Sequence, residues 1–285
     1  MNRDAFRFFD RLRVRWAEVD MQKIVFNAHY LMYFDTAVAG YWRALALPYE
    51  QTMHELGGDL YARKATVEYE ASARYDDQID VGVRCERIGN SSMLLQCAVF
   101  RGEQRLVTGE LVYVYADPAT QTSRPMPGPL REVLLGFEAG EPMLDVQLGP
   151  WDRLGAEAQR IRTEVFVEEQ RIPADLEWDA ADASALHALA VNRLGRAVGT
   201  GRLLEHAPGV AKVGRMAVRP MLRGAGIGAA LLRALAQAAR ARGDRELLLH
   251  AQASAAGFYR RLGFAPVGEP FQEAGIPHQA MRLAL

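Results

Sequence analysis

The sequence predicts two domains in tandem: an α+β domain in which one long apolar helix is wrapped by an antiparallel sheet, then a mixed α/β domain. Three observations carry this. The 285 residues exceed what one hydrophobic core usually organises. A long apolar run, Ala28 to Leu47, is followed by four stretches of strict apolar/polar alternation. A second series of strand-like and helix-like segments then begins at Asp145, after a segment dense in proline and glycine.

In the first domain, RLRVRW from Arg11 alternates, with Leu12, Val14 and Trp16 on one face and arginines on the other, a strand with one wet side. Asp20 follows in a loop. The run AHYLMYFDTAVAGYWRALAL is too evenly apolar for a surface helix and ends before Pro48, so it is expected as a core helix. ATVEYEAS, QIDVGVRCERI, SMLLQCAVFRG and RLVTGELVYVYA are expected as strands, separated by short turns such as Ile88-Gly89-Asn90. Cys85 and Cys97, the only cysteines, sit within these alternations as buried, reduced thiols rather than a disulfide. Asp76 and Asp77 are expected to open a strand and stay solvated, because adjacent like charges are costly to bury.

Between Asp117 and Leu144 the chain is rich in proline and glycine, with one short helix expected over Leu130 to Phe137. This places the domains at 1–138 and 145–285, joined by a linker at 139–144. The second domain opens with strand DVQLG and a helix that aligns Ala158, Ile161 and Val165 on one face. Strands HALAVN and AVGTGRLLE and the strand Val213 to Val218 follow. The next helix turns Leu231, Leu232, Leu235 and Ala239 inward and carries Arg240 and Arg242 near its end, before Gly243. LLLHAQ reads as a buried strand, and SAAGFYRRLGF as a short helix with Ser254 as N-cap and Gly263 as its stop.

The most informative stretch is Val213 to Arg233, VGRMAVRPMLRGAGIGAALLR. Gly224, Gly226 and Gly228 leave the turn bare, so successive backbone N–H groups can converge at the positive end of the following helix. Arg223 adds a permanent charge and a fork of donors, with Arg219 and Arg233 close in sequence. A glycine-rich turn before a helix is often only a tight connection. The spacing is neither GxGxxG nor a P-loop ending in GK[ST], which disfavours nicotinamide cofactors and ATP and leaves a pyrophosphate as the better fit.

Composition narrows the classes. With 49% hydrophobic and 24% charged residues and a net charge of -1, the chain reads as an ordinary globular protein and not as a general nucleic-acid binder. The start MNRDAFRFFDRLRVRW lacks an apolar signal core, and no run of about 18 apolar residues occurs, so neither secretion nor membrane insertion is expected and a cytoplasmic location is. The histidines are scattered, without HExxH or cysteine pairs at ligand spacing, so no catalytic metal is expected.

Two resemblances sharpen the reading. VRWAEVDMQKIVFNAHYLMYFD, with RYDDQIDV further on, resembles the hydroxybenzoyl-CoA thioesterase family of hotdog fold, over roughly residues 5 to 138. The resemblance implies that Asp20 attacks the thioester carbonyl or activates water, and that the backbone N–H of Asn27 polarises the carbonyl oxygen. A carboxylate beside a helix N-terminus and N–H groups facing a developing oxyanion suit that chemistry. His29 and Tyr30 would help shape the site. Hotdog domains usually pair their sheets, so a homodimer or tetramer is implied. From about residue 143 onward, IRTEVFVEEQRIP, GRMAVRP, LRGAGIG, AQASAAGFYRRLGF and EAGIPHQAM together resemble the GNAT superfamily of N-acetyltransferases, nearest its ElaA-like branch.

The second resemblance implies acetyl-CoA as substrate. The backbone of Met216, Ala217 and Val218 would pair with the pantetheine arm. The loop of Arg223, Gly224, Ala225, Gly226, Ile227, Gly228 and Ala229 would take the pyrophosphate. Tyr259 would protonate the leaving thiolate, and Gln252 would stand beside the coenzyme. The bases on offer for an acceptor amine are Glu177, Asp179, Glu273 and His278, of which the histidine titrates in the right range; Arg202 and Arg215 are expected to be solvated or paired. The acceptor would be a small amine or a peptide amine. The committed expectation is thioester hydrolysis in the first half and acetyl transfer in the second. The alternative is that one half only binds acyl-CoA or drives oligomerisation.

Overall fold

A computed structural model describes residues 2–285. It divides into two compact units, the first ending at Met143 and the second beginning at Leu144.

The first unit contains β1 (Phe8–Arg13), α1 (His29–Ala44), α2 (Tyr49–Leu56), β2 (Asp59–Tyr69), β3 (Gln78–Ile88), β4 (Ser92–Arg101), β5 (Gln104–Ala116) and α3 (Gly128–Ala139). The strands form one antiparallel sheet in the order β1-β3-β4-β5-β2. Helix α1 buries Tyr30, Tyr33, Phe34, Ala37, Val38, Tyr41 and Trp42, the repeat of three and four that puts one stripe against the sheet. Close approach depends on Gly109 of β5, where a Cβ would lie 2.4 Å from Phe34 Cε2 and 2.9 Å from the Thr66 carbonyl oxygen. Helix α3 belongs to this unit. It buries Leu130, Val133 and Leu134, and its Glu138 accepts from the Tyr41 hydroxyl and from the Cys85 amide at 2.8 Å, tying α1 and β3 to α3. Both cysteines are buried and free, and burial pushes the Cys85 thiol up to about 12.

Three expectations need correction. The strand expected over Arg11 to Trp16 ends at Arg13; Val14 is buried, but Trp16 is 76% exposed, in a 3-10 turn, edge-on to Tyr75. The Glu18 carboxylate accepts the Arg15 amide at 2.7 Å, which bends the chain and breaks the alternation. Asp76 and Asp77 precede β3, in and after a turn, rather than open it: Asp76 pairs with Arg13, and Asp77 accepts the Arg74 amide and pairs with Arg101. The strand expected from Ala65 starts at Asp59, and α2, which sequence periodicity did not mark, ends at Gly57 in the left-handed conformation.

The second unit contains β6 (Leu144–Gly149), α4 (Trp151–Arg162), α5 (Ala174–Glu177), β7 (Leu186–Asn192), β8 (Ala197–Ala207), β9 (Val210–Val218), α6 (Ile227–Arg242), β10 (Glu246–Gln252), α7 (Ala256–Arg261), β11 (Ala265–Pro266), β12 (Phe271–Glu273) and β13 (Ile276–Ala284). The sheet runs β11-β13-β10-β9-β8-β7-β6, with β12 paired to β13; only β9 and β10 are parallel. Leu231, Leu232, Leu235 and Ala239 of α6 pack with Ala188, Ala190 and Val198, whereas Leu154, Ala158 and Ile161 of α4 pack with Leu189, Ala197 and Ala217. Alternate strand residues go to alternate helices, so α6 and α4 cover opposite faces of the sheet.

The helix expected to carry Val165 is α4 continued by a π-helical turn, Thr163–Glu169; Val165 stays buried. Ser254 is not a cap: it lies in a 3-10 turn, Ala253–Ala255, and α7 starts without a side-chain cap. Gly243 and Gly263 stand just after α6 and α7 with φ +97° and +92°, the left-handed stop glycine adopts readily. No helix among the described residues is long and apolar enough to cross a membrane.

Candidate active sites

In the second unit the site follows from one strand pair. β9 and β10 are hydrogen-bonded from Val210 opposite Glu246 to Val213 opposite Leu249, yet β9 continues to Val218 and β10 to Gln252. Beyond that last pair the strands part, and a cleft of about 950 Å³ opens between them. Against β8, Thr200 stands opposite Ala217 and Arg202 opposite Gly214, so Arg215 and Met216 form a bulge, with Arg215 at φ +52°. Met216, Ala217 and Val218 therefore offer the cleft a strand edge that β10 leaves unpaired.

The loop before α6 meets the same cleft. Gly224 and Gly226 adopt φ +88° and +81°, which turns the chain sharply into the helix. The amide of Ala225 donates to Leu222 O, but those of Gly224, Gly226, Ile227, Gly228 and Ala229 donate to nothing among the described residues. Free donors at a helix N-terminus bind an anion. The arginines behave differently from the sequence expectation of a partly neutralised oxyanion. The Arg223 guanidinium grips Glu169 of the π-helical turn in a fork, at 2.6 and 2.5 Å, and Arg219 lies 3.4 Å from Glu164. Arg233 is exposed on α6. Attraction for an anion here thus rests on backbone dipoles more than on arginine charge.

Tyr259 lines the cleft with its ring between Phe258 and Phe264, and burial pushes its phenol up to about 12. Its hydroxyl makes no hydrogen bond among the described residues. Gln252 donates to Gln170 at 2.9 Å. His278 is held by its Nδ1, 2.8 Å from Ile276 O; a carbonyl only accepts, so Nδ1 carries the proton.

Glu177 and Asp179 belong to a charge network. The fully buried Arg162 donates to Glu177 at 2.5 Å and to Asp182 at 2.9 Å. Arg202 donates to Asp179 and Asp182, and Arg215 to Asp179 at 3.0 Å. Burial raises the Glu177 carboxyl, whereas the Arg202 hydrogen bond holds Asp179 low. Both arginines are paired. Sequence reasoning missed His250, whose Nδ1 lies 3.0 Å from Glu273 Oε2 inside the cleft; the available signal was a polar residue interrupting the apolar strand LLLHAQ.

In the first unit, Asp20 caps its own turn: Oδ1 accepts the Gln22 amide at 2.8 Å, and Lys23 follows at φ +63°. The Asn27 carbonyl accepts from Tyr69 and Tyr30, while its amide donates to nothing among the described residues. His29 begins α1 on the edge of Phe26, and the buried Tyr30 hydroxyl accepts the Ala73 amide. Two residues before Asp20, the buried Glu18 takes the Arg15 amide, the Arg15 guanidinium and the Tyr33 hydroxyl.

Comparison with known proteins agrees with this architecture. A model described as the acetyltransferase (GNAT) domain matches residues 154–285, and one described as the thioesterase superfamily matches residues 22–108, beginning just after Asp20. The chain belongs to the GNAT acetyltransferase family through its second unit, and its first unit is a thioesterase-superfamily domain of hotdog fold. Among relatives, the uncharacterized N-acetyltransferase YjcF of Bacillus subtilis is 37% identical over 122 residues, 42% of this chain and 86% of its own. An acyl-CoA N-acyltransferase structure from Pseudomonas aeruginosa is 33% identical over 49% of this chain and 98% of that one, with TM-score 0.45. Slr0204 of Synechocystis, a 1,4-dihydroxy-2-naphthoyl-CoA thioesterase, is 17% identical over 45% and 95%, with TM-score 0.42.

Proposed function

We propose that the chain is a bifunctional enzyme of acyl-CoA chemistry, hydrolysing a thioester in its first unit and passing an acetyl group to an amine in its second. The observation that carries the acetyltransferase half is the parting of β9 from β10 beside the unpaired amides at the head of α6. A pyrophosphate on those amides directs a pantetheine arm along Met216 to Val218, and brings the thioester to the point where the strands separate. Tyr259, protonated across the working range, donates to the departing thiolate. Gln252 and His278 wall the acceptor end.

In the first unit Asp20 serves as nucleophile or base and the free Asn27 amide as oxyanion donor. A second reading has its own support: Met21, Phe26, Met32 and Tyr69 are exposed apolar groups of this unit, a surface suited to a second copy. The first unit would then pair chains and bind acyl-CoA without hydrolysing it. Thiol release from a panel of acyl-CoAs by the full chain, with and without an amine library, separates these readings. Asp20→Asn is expected to lower amine-independent thiol release by about 10²-fold or more while leaving amide formation intact, since a carboxamide is neither nucleophile nor base. Unchanged hydrolysis removes Asp20 from the mechanism.

A further inference from the structure

The acceptor amine reaches the cleft as an ammonium ion and must lose a proton before it can attack. Glu177 and Asp179 are poorly placed for that task, because Arg162, Arg202 and Arg215 already occupy their oxygens. His250 differs. It follows Leu249, the last β10 residue paired with β9, so it stands where the two strands separate. Leu249 points into the core beneath α6, and strand alternation turns His250 to the opposite face, into the cleft. There its Nδ1 is 3.0 Å from Glu273 Oε2 on β12, and Phe271 packs edge-on against the ring at 4.9 Å. A carboxylate only accepts, so Nδ1 is the protonated nitrogen and Nε2 carries the lone pair. The other charged or titratable groups on this wall are His278 on β13 and Lys212 on β9.

From the juxtaposition of His250 with Glu273 at the parting of β9 and β10, we propose that His250 is the base that deprotonates the acceptor ammonium and Glu273 the residue that positions it. The inference rests on the acetyltransferase reading. His250 Nε2 takes one proton from R–NH3+, and Glu273 steadies the imidazolium. The amine lone pair forms the N–C bond at the acetyl carbonyl. The C–S bond then breaks with its electron pair going to sulfur, which takes the second nitrogen-bound proton by way of Tyr259. The products are the amide, free coenzyme A thiol, and one proton passed from His250 to solvent.

The test uses the full chain, acetyl-CoA and two probe amines: benzylamine, an ammonium at about pH 7, and p-anisidine, already neutral there. His250→Gln should lower kcat/KM for benzylamine by about 10²-fold or more while p-anisidine stays within about threefold, and raising the pH should recover the benzylamine rate. Glu273→Gln should lower the benzylamine rate about tenfold with the same selectivity. Nitrogen NMR of His250 should show the Nδ1-protonated tautomer in wild type and its loss in Glu273→Gln, whatever the acceptor. An equal fall for both amines, a selective loss in His278→Gln instead, or an Nε2-protonated wild type overturns the proposal alone. Wild type that acetylates neither amine overturns the acetyltransferase reading with it.

Discussion

At the scale of single residues, two groups show how burial and hydrogen bonding act in opposite senses. Tyr259 is buried without a charged partner, so desolvation dominates and its phenol rises to about 12. Tyr259→Phe keeps the ring and removes only the proton donor. Acetyl transfer should fall about 10²-fold or more in single turnover, with stability and acetyl-CoA affinity nearly unchanged. The high-pH limb that such an acid contributes lies near 12, so the rate comparison at neutral pH is the decisive one. Transfer within about threefold of wild type would make Tyr259 a packing residue. Glu18 is the opposite case: burial raises its pKa, but the Arg15 amide, the Arg15 guanidinium and the Tyr33 hydroxyl outweigh that and hold it below 4.5. A carboxyl lowered on folding stabilises the native state above its unfolded pKa, and that contribution disappears as pH falls through the folded value. Urea midpoints of the first unit should therefore drop below about pH 4.5, and Glu18→Gln, already weaker at neutral pH, should lose less on acidification.

At the scale of elements, two glycines decide whether neighbouring pieces can meet. Gly109→Ala would press a methyl into Phe34 and the Thr66 carbonyl, neither able to move far in the core between α1 and β5. A loss of about 1–3 kcal/mol is expected from chemical denaturation. Gly226 faces open space, so its substitution acts through conformation: at φ +81° a β-branched valine strains the turn and misdirects the amides that follow. Losing one or two hydrogen bonds to a charged group, at about 1.5–3 kcal/mol each, should weaken acetyl-CoA binding at least tenfold by calorimetry. Equal affinity would reduce the loop to a connector.

At the scale of the whole molecule, the division at Met143 and Leu144 leaves each unit with its own sheet. Two calorimetric transitions are expected. Acetyl-CoA at about a hundred times its dissociation constant should stabilise the second unit by about 2.7 kcal/mol, a shift that Gly226→Val abolishes. A single transition would mean that the units unfold as one.

What the sequence determined by itself was whatever depends on neighbours along the chain. The apolar stripe of α1, the alternation of β3 to β5, the core face of α6 and the bare turn from Gly224 to Gly228 are local patterns, and each was legible. Alternation misled only where a side chain reached back to the backbone, as Glu18 does to the Arg15 amide. Tertiary structure alone decided what depends on residues far apart: the fork between Arg223 and Glu169, the Arg162 network, the pairing of His250 with Glu273, and the separation of β9 from β10. Local propensity is set by a residue and its near neighbours. A cleft exists only where strands from distant stretches run together and then part, and the partner of a buried charge is whichever group the fold delivers to it.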